Sequence, residues 1–278
     1  MAAITAAQVK ELRDATNVSM MECKKALVET DGDIAAATRT LRERGMAVAA
    51  KKSSRAANQG LIATASAEEG RTRSLVEVNC ETDFVARNET FLAFVADMAG
   101  KACGTDDALA DSMKDILTAK IAEIGENIVI RRNLRYALQG EGAIESYIHL
   151  GSKIGVLVEV GCEKPDTLAS EAFRELLKDI ALHIAACAPQ YLRPEDVPAD
   201  VVKAERDIYA KQMEDKPAAV IEKIVDGKMQ KFYGEVCLLN QPFVKEPKQT
   251  IAKLLEEQGK ALGDTLTLRR FTRYQLGQ

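Results

Sequence analysis

Few side chains in this chain could perform covalent chemistry, and none of them lies at the spacing of a known catalytic or metal-binding motif. The chain has two histidines, His149 and His183, and six cysteines that form no CxxC pair. It contains no GxxxxGK(S/T) phosphate loop, no GxGxxG turn after a strand and no HExxH metal motif. We therefore expect no catalytic site, no metal and no cofactor, and we expect buried thiols in a reducing cytosol.

The histidines and two adjacent methionines are more suited to packing or contact than to catalysis. His183 lies in an apolar helical segment and is expected to be a satisfied helix residue rather than a ligand. His149 opens a turn, so it is expected to be exposed and able to make a contact. Met20 and Met21 are neighbours on a predicted helix and cannot both face one way, so at least one should point outward.

Binding chemistry is indicated by the segment Thr82-Asp83-Phe84-Val85, which places a large apolar side chain beside a carboxylate. Residue type alone favours the interpretation that Phe84 closes the core of its own unit, by roughly 60:40. The alternative is that the loop inserts Phe84 into the crevice of a partner. Burial of one Phe in such a crevice could contribute roughly 1.5–3 kcal/mol to binding.

The chain contains its own control for this loop, because the segment before it occurs twice. Residues 75–81, LVEVNCE, return 82 residues later as residues 157–163, LVEVGCE, with six of seven positions identical. The second copy continues with residues 164–168, KPDTL, so the scaffold connects strand to helix without an Asp-Phe step. What both copies share indicates architecture, and the comparison therefore favours a functional role for Phe84.

The elements that position these residues begin with three short helices, predicted to end at Gly45. Capping residues precede each helix: Thr5 with Gln8, Ser19 with Glu22, and Asp33. Residues 49–60 are rich in Ala, Lys, Ser and Asn and are interpreted as a basic linker that is partly helical.

Each repeat then predicts a strand, a turn, a second strand, two helices and a closing strand. The closing-strand pair Arg131-Arg132 returns 138 residues later as Arg269-Arg270, so the second copy contains 56 additional residues. Prolines and apolar spacing predict an antiparallel coiled-coil hairpin there, at about residues 190–240. The predicted fold class is α+β with small antiparallel sheets. The predicted domains are residues 1–55, 56–140 and 141–278.

The overall charge does not favour a polyanionic partner. With 38 basic and 42 acidic residues, the formal net charge is −4, so neither direct nucleic-acid binding nor membrane binding is expected. The N-terminus lacks an apolar signal core and no apolar run approaches a membrane span, which predicts a cytoplasmic location.

Two segments together carry a resemblance to a known family. Residues 12–16, LRDAT, followed by residues 20–27, MMECKKAL, resemble one signature of the bacterial translation elongation factor Ts family. Residues 77–87, EVNCETDFVAR, resemble the other. The resemblance implies a three-helix domain of the ubiquitin-associated (UBA-like) type, a core of two similar subdomains, and a coiled-coil hairpin in the second. It also implies guanine-nucleotide exchange on elongation factor Tu, a GTPase, without covalent chemistry.

The resemblance assigns roles to the candidate site residues. The loop Thr82–Val85, with Asp83 and Phe84 at its centre, would wedge into the GTPase near its magnesium site. A second group would make further contacts with the partner: Arg13, Met20, Met21 and His149. Whether two copies of this chain contact each other is left open.

Two departures from the family pattern affect these expectations. The turn after Thr16 reads Asn17-Val18-Ser19, where the family commonly has glycines; Asn tolerates a left-handed backbone, so the turn is expected to survive. The sequence stops at Gln278 without the C-terminal helical module of some members. Binding is then expected to depend more on the N-terminal domain and the core.

Two other classes of function remain as alternatives. The three-helix domain could be a binding module for small protein partners, with the repeats as a scaffold, although this leaves the Asp83-Phe84 loop unexplained. An enzyme is disfavoured by the missing catalytic residues, and turnover without a GTPase would support it. The hairpin could be a solvated decoration or a partner contact.

Overall fold

The structure is a computed structural model that describes residues 4–16, 18–212 and 218–278, without the side chains of Ala218 and Ala219. Asn17, in the turn after Thr16, and residues 213–217, within the predicted hairpin, lie outside the described residues. The described helices are α1 Ala6–Thr16, α2 Met20–Glu29, α3 Ile34–Lys52, α4 Asp83–Ala86, α5 Glu89–Ala102, α6 Leu109–Ser112, α7 Lys114–Ile124, α8 Asp166–Ala169, α9 Glu171–Cys187, α10 Ala199–Lys211, α11 Ala218–Val236 and α12 Ile251–Leu262. The strands are β1 Gln59–Ala67, β2 Thr72–Cys80, β3 Ile128–Ala137, β4 Gly142–His149, β5 Ile154–Gly161, β6 Pro242–Phe243, β7 Glu246–Thr250 and β8 Thr267–Gln275.

The first three helices form a small domain held by caps and an apolar core. The Thr5–Gln8 capping box is reciprocal, with Gln8 Oε1 accepting from Thr5 N at 3.0 Å and Thr5 Oγ1 accepting from Gln8 N at 3.3 Å. Asp33 caps α3 by accepting from Ala36 N at 3.0 Å. The core residues recur at helical spacing: Val9, Leu12, Cys23, Ala26, Leu27, Ala37 and Leu41.

The prediction that α3 ends at Gly45 is wrong, because the helix continues to Lys52. Gly45 lies at a helix contact, and a Cβ placed on it would lie 3.5 Å from the Cβ of Ala122 on α7. The absence of a side chain lets α3 approach the core, and residues after Gly45 are good helix formers. The linker is therefore shorter than predicted and comprises residues 53–58.

Both repeats fold into the same α+β unit. In the first, β1, β2 and β3 form an antiparallel sheet in that order, and α5 packs on β1 and β2. In the second, β4, β5 and β8 form the matching sheet beneath α9. The register shifts at the same place in each copy, after Glu77 in β2 and after Glu159 in β5. The α+β fold class is confirmed, whereas the domain boundaries at residues 55–56 and 140–141 stay a prediction.

The two sheets pack against each other through an apolar core that is separate from the core beneath the helices of each repeat. Its buried side chains come from both repeats: Ile62, Leu75, Tyr136, Ile144, Leu157 and Tyr274. The fully buried carboxylates of Glu77 and Glu159 lie in the same layer, and each pairs with arginines of its own repeat. A shared apolar layer crossed by paired charges fixes one repeat relative to the other.

The insertion in the second repeat contains the predicted pair of helices. Arg206 Nη1 of α10 lies 2.8 Å from Asp226 Oδ1 of α11. Val225 and Met229 on α11 are buried, whereas Val220 on α11 and Ile208 on α10 are exposed, so the apolar faces of the hairpin are only partly covered. At the base of the hairpin, Gln190 N and Tyr191 N both donate to Val236 O.

Among the described residues the cysteines are free thiols, as predicted, and all but one are buried. Cys187 is exposed, because it is the last residue of α9 and lies where the chain turns away through left-handed Ala188.

No described helix is long and apolar enough to cross a membrane. In the same ranges, no group of three or more His, Cys, Asp and Glu side chains is placed to hold a metal ion.

Candidate functional site

The loop that carries Phe84 is anchored by the carboxylate of Glu126. One oxygen, Oε2, accepts from Glu81 N at 3.1 Å and from Thr82 N at 3.0 Å. The other, Oε1, accepts from the hydroxyl of Thr82 at 2.6 Å. Thr82 Oγ1 in turn accepts from Val85 N at 3.3 Å and so caps the one-turn helix α4. These bonds fix the backbone on which Asp83 and Phe84 stand.

Phe84 projects into solvent from this anchored turn. Its side chain is 82% exposed, the largest value among the exposed apolar side chains of the described residues. The neighbouring Ala86 is buried and Val85 packs half-buried against the core of the first repeat. The interpretation of Phe84 as a core residue is therefore wrong, and Val85 and Ala86 close the core in its place.

Asp83 is exposed beside Phe84 and pairs within the same helical turn. Its Oδ2 accepts from Arg87 Nη2 at 3.1 Å, an i,i+4 ion pair whose arginine side chain is largely exposed. Such exposed pairs stabilise by only about 0.2–1 kcal/mol. The carboxylate can therefore leave Arg87 for another electrostatic partner at little cost.

The second repeat contains the same anchor without the aromatic side chain. Asp264 accepts from Glu163 N at 3.0 Å, from Lys164 N at 3.1 Å and from the hydroxyl of Thr167. These hydrogen bonds, first that of Thr167, lower the pKa of Asp264 to about 2. In helix α8, which follows the anchored segment, Thr167 is buried and Leu168 packs on the core of the second repeat. The anchor is therefore common architecture, and the exposed Phe is specific to the first repeat.

His149 is exposed, as predicted, and is the last residue of β4, directly before the turn to β5. Its Nδ1 lies 2.9 Å from the hydroxyl of Tyr147, with the two rings stacked at 5.6 Å between centroids. The stacking fixes the orientation of the imidazole at the surface. Its neighbour Leu150 is 65% exposed and was missed by the sequence reasoning.

Leu150 stands at a position where the other repeat has a charged residue. The β4–β5 turn has three consecutive left-handed residues, Leu150 at φ 51°, Gly151 at 61° and Ser152 at 69°. The β1–β2 turn has the same sequence of conformations in residues 68–70, beginning with Glu68 at φ 52°. Leucine is unusual in this region and is not needed for the turn. Comparison of the two repeats at the 82-residue offset would have identified it.

The β4–β5 turn and the Phe84 loop are connected through the edge of the first sheet. Lys153 Nζ donates to Gly60 O at 3.2 Å, and Ser152 O accepts from Ile62 N at 2.8 Å. Gly60 on β1 pairs with Asn79 on β2, two residues before the anchored loop. The structure thus places the two exposed features on a continuous stretch of packed backbone.

The three-helix domain is joined to the core next to the same anchor. The ammonium of Lys52, the last residue of α3, donates to Gly125 O, and Asn127 Nδ2 donates to Arg55 O at 2.7 Å. Gly125 and Asn127 flank Glu126 in the chain. On the surface of this domain, the candidate residues are all exposed: Arg13, Met20 and Met21.

Burial shifts the pKa values of Cys80 and His183 towards their neutral forms. Burial, with the nearby Glu126 carboxylate, raises the pKa of the Cys80 thiol to about 11, which keeps it protonated. Burial lowers the pKa of His183, whose Nε2 lies 2.9 Å from Gln241 Oε1 and whose Nδ1 accepts from Val244 N at 3.2 Å. His183 is thus a satisfied helix residue, as expected.

Comparison with known proteins gives a consistent result. A family model described as "Elongation factor TS" matches residues 81–278. Elongation factor Ts of Trichlorobacter lovleyi is 46% identical over 291 aligned residues, which cover 99% of this chain and 93% of the relative. Elongation factor Ts of Nitratiruptor sp. is 43% identical over 288 residues, covering 99% of this chain and 94% of that protein.

Proposed function

The chain belongs to the elongation factor Ts family, and we propose that it is a guanine-nucleotide exchange factor for elongation factor Tu. In this role it binds the GDP-bound GTPase, promotes release of GDP and lets GTP bind again, which supports translation elongation in the cytoplasm. It performs no covalent chemistry itself and needs no cofactor.

The observation that carries the proposal is the exposed Phe84 on its anchored loop. A Phe side chain that is 82% exposed has most of its apolar area available for burial in a partner. Full burial of such a side chain contributes roughly 1.5–3 kcal/mol. The second repeat folds with the same anchor and no aromatic residue there, so folding does not require Phe84.

Exchange follows from thermodynamic linkage between the two ligands of the GTPase. A factor that binds the nucleotide-free form more tightly must weaken GDP binding, and bound GDP must weaken the factor equally. Each tenfold weakening corresponds to about 1.4 kcal/mol. Burial of Phe84 in a site that exists only when the nucleotide loops are displaced would supply one to two such factors of ten.

Asp83 provides the electrostatic part of the proposed mechanism. Phosphate and magnesium are held in GTPases by preorganised loops and by the charge of the ion. A carboxylate brought beside those loops, after leaving Arg87, would compete for the groups that hold magnesium. The wedge then combines an apolar displacement by Phe84 with a charge that disfavours the metal arrangement.

The remaining exposed residues would provide affinity around the wedge. Arg13, Met20 and Met21 are proposed to contact the nucleotide-binding domain, and Met is well suited to adaptable contacts. His149 and its neighbour Leu150 are proposed to contact the partner from the second repeat. Separate contacts from both repeats would orient the factor so that the Phe84 loop meets its crevice.

The test is stopped-flow release of fluorescent GDP from elongation factor Tu. We expect strong acceleration by the intact protein and a loss of about 10- to 100-fold in Phe84→Ala, the equivalent of one buried Phe. Ile116→Ala, which removes another exposed apolar side chain from the first repeat, is the matched control and should retain exchange. Absence of acceleration by the intact protein would refute the proposed function.

A further inference from the structure

We propose that Glu126 is a positioning residue, which holds the Phe84 loop in its docking conformation before the partner arrives. The expected effect of Glu126 on GDP release rests on the proposed function. The expected effect of Glu126 on the order of the loop concerns the free protein alone. Glu126 does not reach the exposed face of the loop itself; it acts through the backbone of Glu81 and Thr82.

The hydrogen bonds of Glu126 all converge on the start of the loop. Its two oxygens accept two backbone N–H groups and the hydroxyl of Thr82, at 2.6–3.1 Å. A reciprocal bond, from Asn127 N to Glu81 Oε1 at 2.6 Å, joins the same two segments. Glu126 follows Gly125, whose left-handed conformation ends α7, and it precedes β3. A side chain fixed at both ends in this way is a rigid support.

The loop has few other constraints on its exposed part. Helix α4 has only four residues, and short isolated helices are marginal without tertiary contacts. The Phe84 side chain is largely in solvent, and the Asp83–Arg87 pair is exposed. Val85 and Ala86 hold the far side of the turn against the core. Without Glu126, the docking step would bear the cost of ordering the segment before Phe84.

Comparison with the second repeat shows how a positioning role of Glu126 can be told apart from a role in folding alone. Asp264 makes the equivalent set of bonds to Glu163, Lys164 and Thr167, but its loop exposes no aromatic side chain. Glu126→Ala and Asp264→Ala therefore remove matched anchors from the two repeats. If the anchors serve folding alone, the two variants should behave alike in every measurement.

The structural part can be tested without the GTPase. The chain contains no Trp and six Tyr, so Phe84→Trp introduces a single Trp in the loop, which can be excited selectively at long wavelength. We expect slow anisotropy decay of this fluorophore in the Phe84→Trp protein, a fast local component when Glu126→Ala is added, and no change when Asp264→Ala is added. Equal decays in all three proteins would overturn the inference.

The consequence for exchange is measured by GDP release from elongation factor Tu, in the background that keeps Phe84. Glu126→Ala should raise the factor concentration needed for half-maximal release on the order of tenfold, whereas Asp264→Ala should not change it. Glu126→Gln retains an acceptor for the backbone N–H groups and should recover most of the loss. Equal losses in Glu126→Ala and Asp264→Ala would overturn the inference.

Failure of the proposed exchange function can be distinguished from failure of the proposed role of Glu126. If the intact protein does not accelerate GDP release, the proposed function fails, and the anisotropy of the Phe84→Trp reporter still decides whether Glu126 orders the loop. Thermal unfolding of each variant shows whether an effect tracks loss of the fold. Should Glu126→Ala unfold, Glu126→Gln and Glu126→Asp provide the graded comparison, in which looser anchoring must raise both loop mobility and half-saturation.

Discussion

The guanidinium of Arg132 lies 4.0 Å from the centre of the Tyr274 ring, so a side chain of the first repeat stacks on the closing strand of the second. Arg270 stacks on Tyr136 at the same distance in the opposite direction. Each arginine also bonds a buried carboxylate of its own repeat, Glu77 or Glu159. The two repeats are thus joined by contacts related as in a twofold interface.

Replacement of Arg132 or Arg270 by Ala should be strongly destabilising. Each change leaves a fully buried glutamate short of its main partner, and breaking a buried pair typically costs about 3–5 kcal/mol. A second arginine compensates in part at each carboxylate, Arg131 at 3.8 Å from Glu77 and Arg269 at 3.1 Å from Glu159, so the lower end of that range is expected for both variants. Urea unfolding measures this, with Arg87→Ala as the exposed-pair control at less than about 1 kcal/mol. Equal costs for Arg132→Ala and Arg87→Ala would contradict the assigned role of the buried pair.

Leu150→Glu should leave stability almost unchanged and weaken exchange. The substitution gives the β4–β5 turn the residue type that the β1–β2 turn has at Glu68, with the same backbone conformation. If Leu150 is buried against the GTPase, its loss costs about 1.5–3 kcal/mol, equivalent to about 10- to 100-fold in half-saturation of GDP release. Leu150→Ala distinguishes lost burial from introduced charge. Unaltered exchange by both variants would exclude this contact.

Much of the fold could be predicted because the sequence contains the same α+β unit twice, so that each element can be compared with its counterpart. The strands of each hairpin and the helices after β2 and β5 follow the 82-residue offset, and β8 follows β3 by 138 residues. The order of the strands and their shared bulges came from the structure. The offset also separated Phe84 from the scaffold. The left-handed caps at Gly125 and Gly263 follow from residue type.

What could not be predicted depends on contacts between distant segments. Gly45 is typical of a helix end, and its contact with Ala122 on α7, which explains the glycine within α3, involves a residue 77 positions away. Glu126 and Thr82 are 44 residues apart, so their hydrogen bond cannot be inferred from local spacing. The 138-residue offset does align Glu126 with Asp264, but the alignment gives an acidic position without its function.

Gly45→Ala should be tolerated and Gly45→Leu should not. A Cβ at residue 45 would make ordinary contact with Ala122 at 3.5 Å, and Ala stabilises a helix by up to about 1 kcal/mol relative to Gly. A leucine side chain would extend beyond that Cβ between α3 and α7, and it should separate the three-helix domain from the core. Small-angle scattering would show a larger radius of gyration for Gly45→Leu alone. An unchanged radius would show that the domain docks without this close approach.

Acid should destabilise the fold through His183 before carboxylates titrate. Burial lowers the pKa of His183 below its ordinary 6.5, against a smaller opposing effect of the Gln241 hydrogen bond. The unfolded chain then binds a proton near pH 6.5 while the folded chain does not. The stabilisation is therefore complete above that pH and falls as the pH is lowered towards the folded-state pKa. The slope cannot exceed about 1.4 kcal/mol per pH unit for one group.

Urea unfolding between pH 7.5 and 5 measures this slope in the intact protein and one variant. His183→Gln should be less stable at pH 7.5, because its bonds to Gln241 and Val244 N are lost or weakened. Its stability should nevertheless vary less with pH, since the buried titrating group is gone. If His183→Gln retained the full slope, the pH dependence would have to arise from another group.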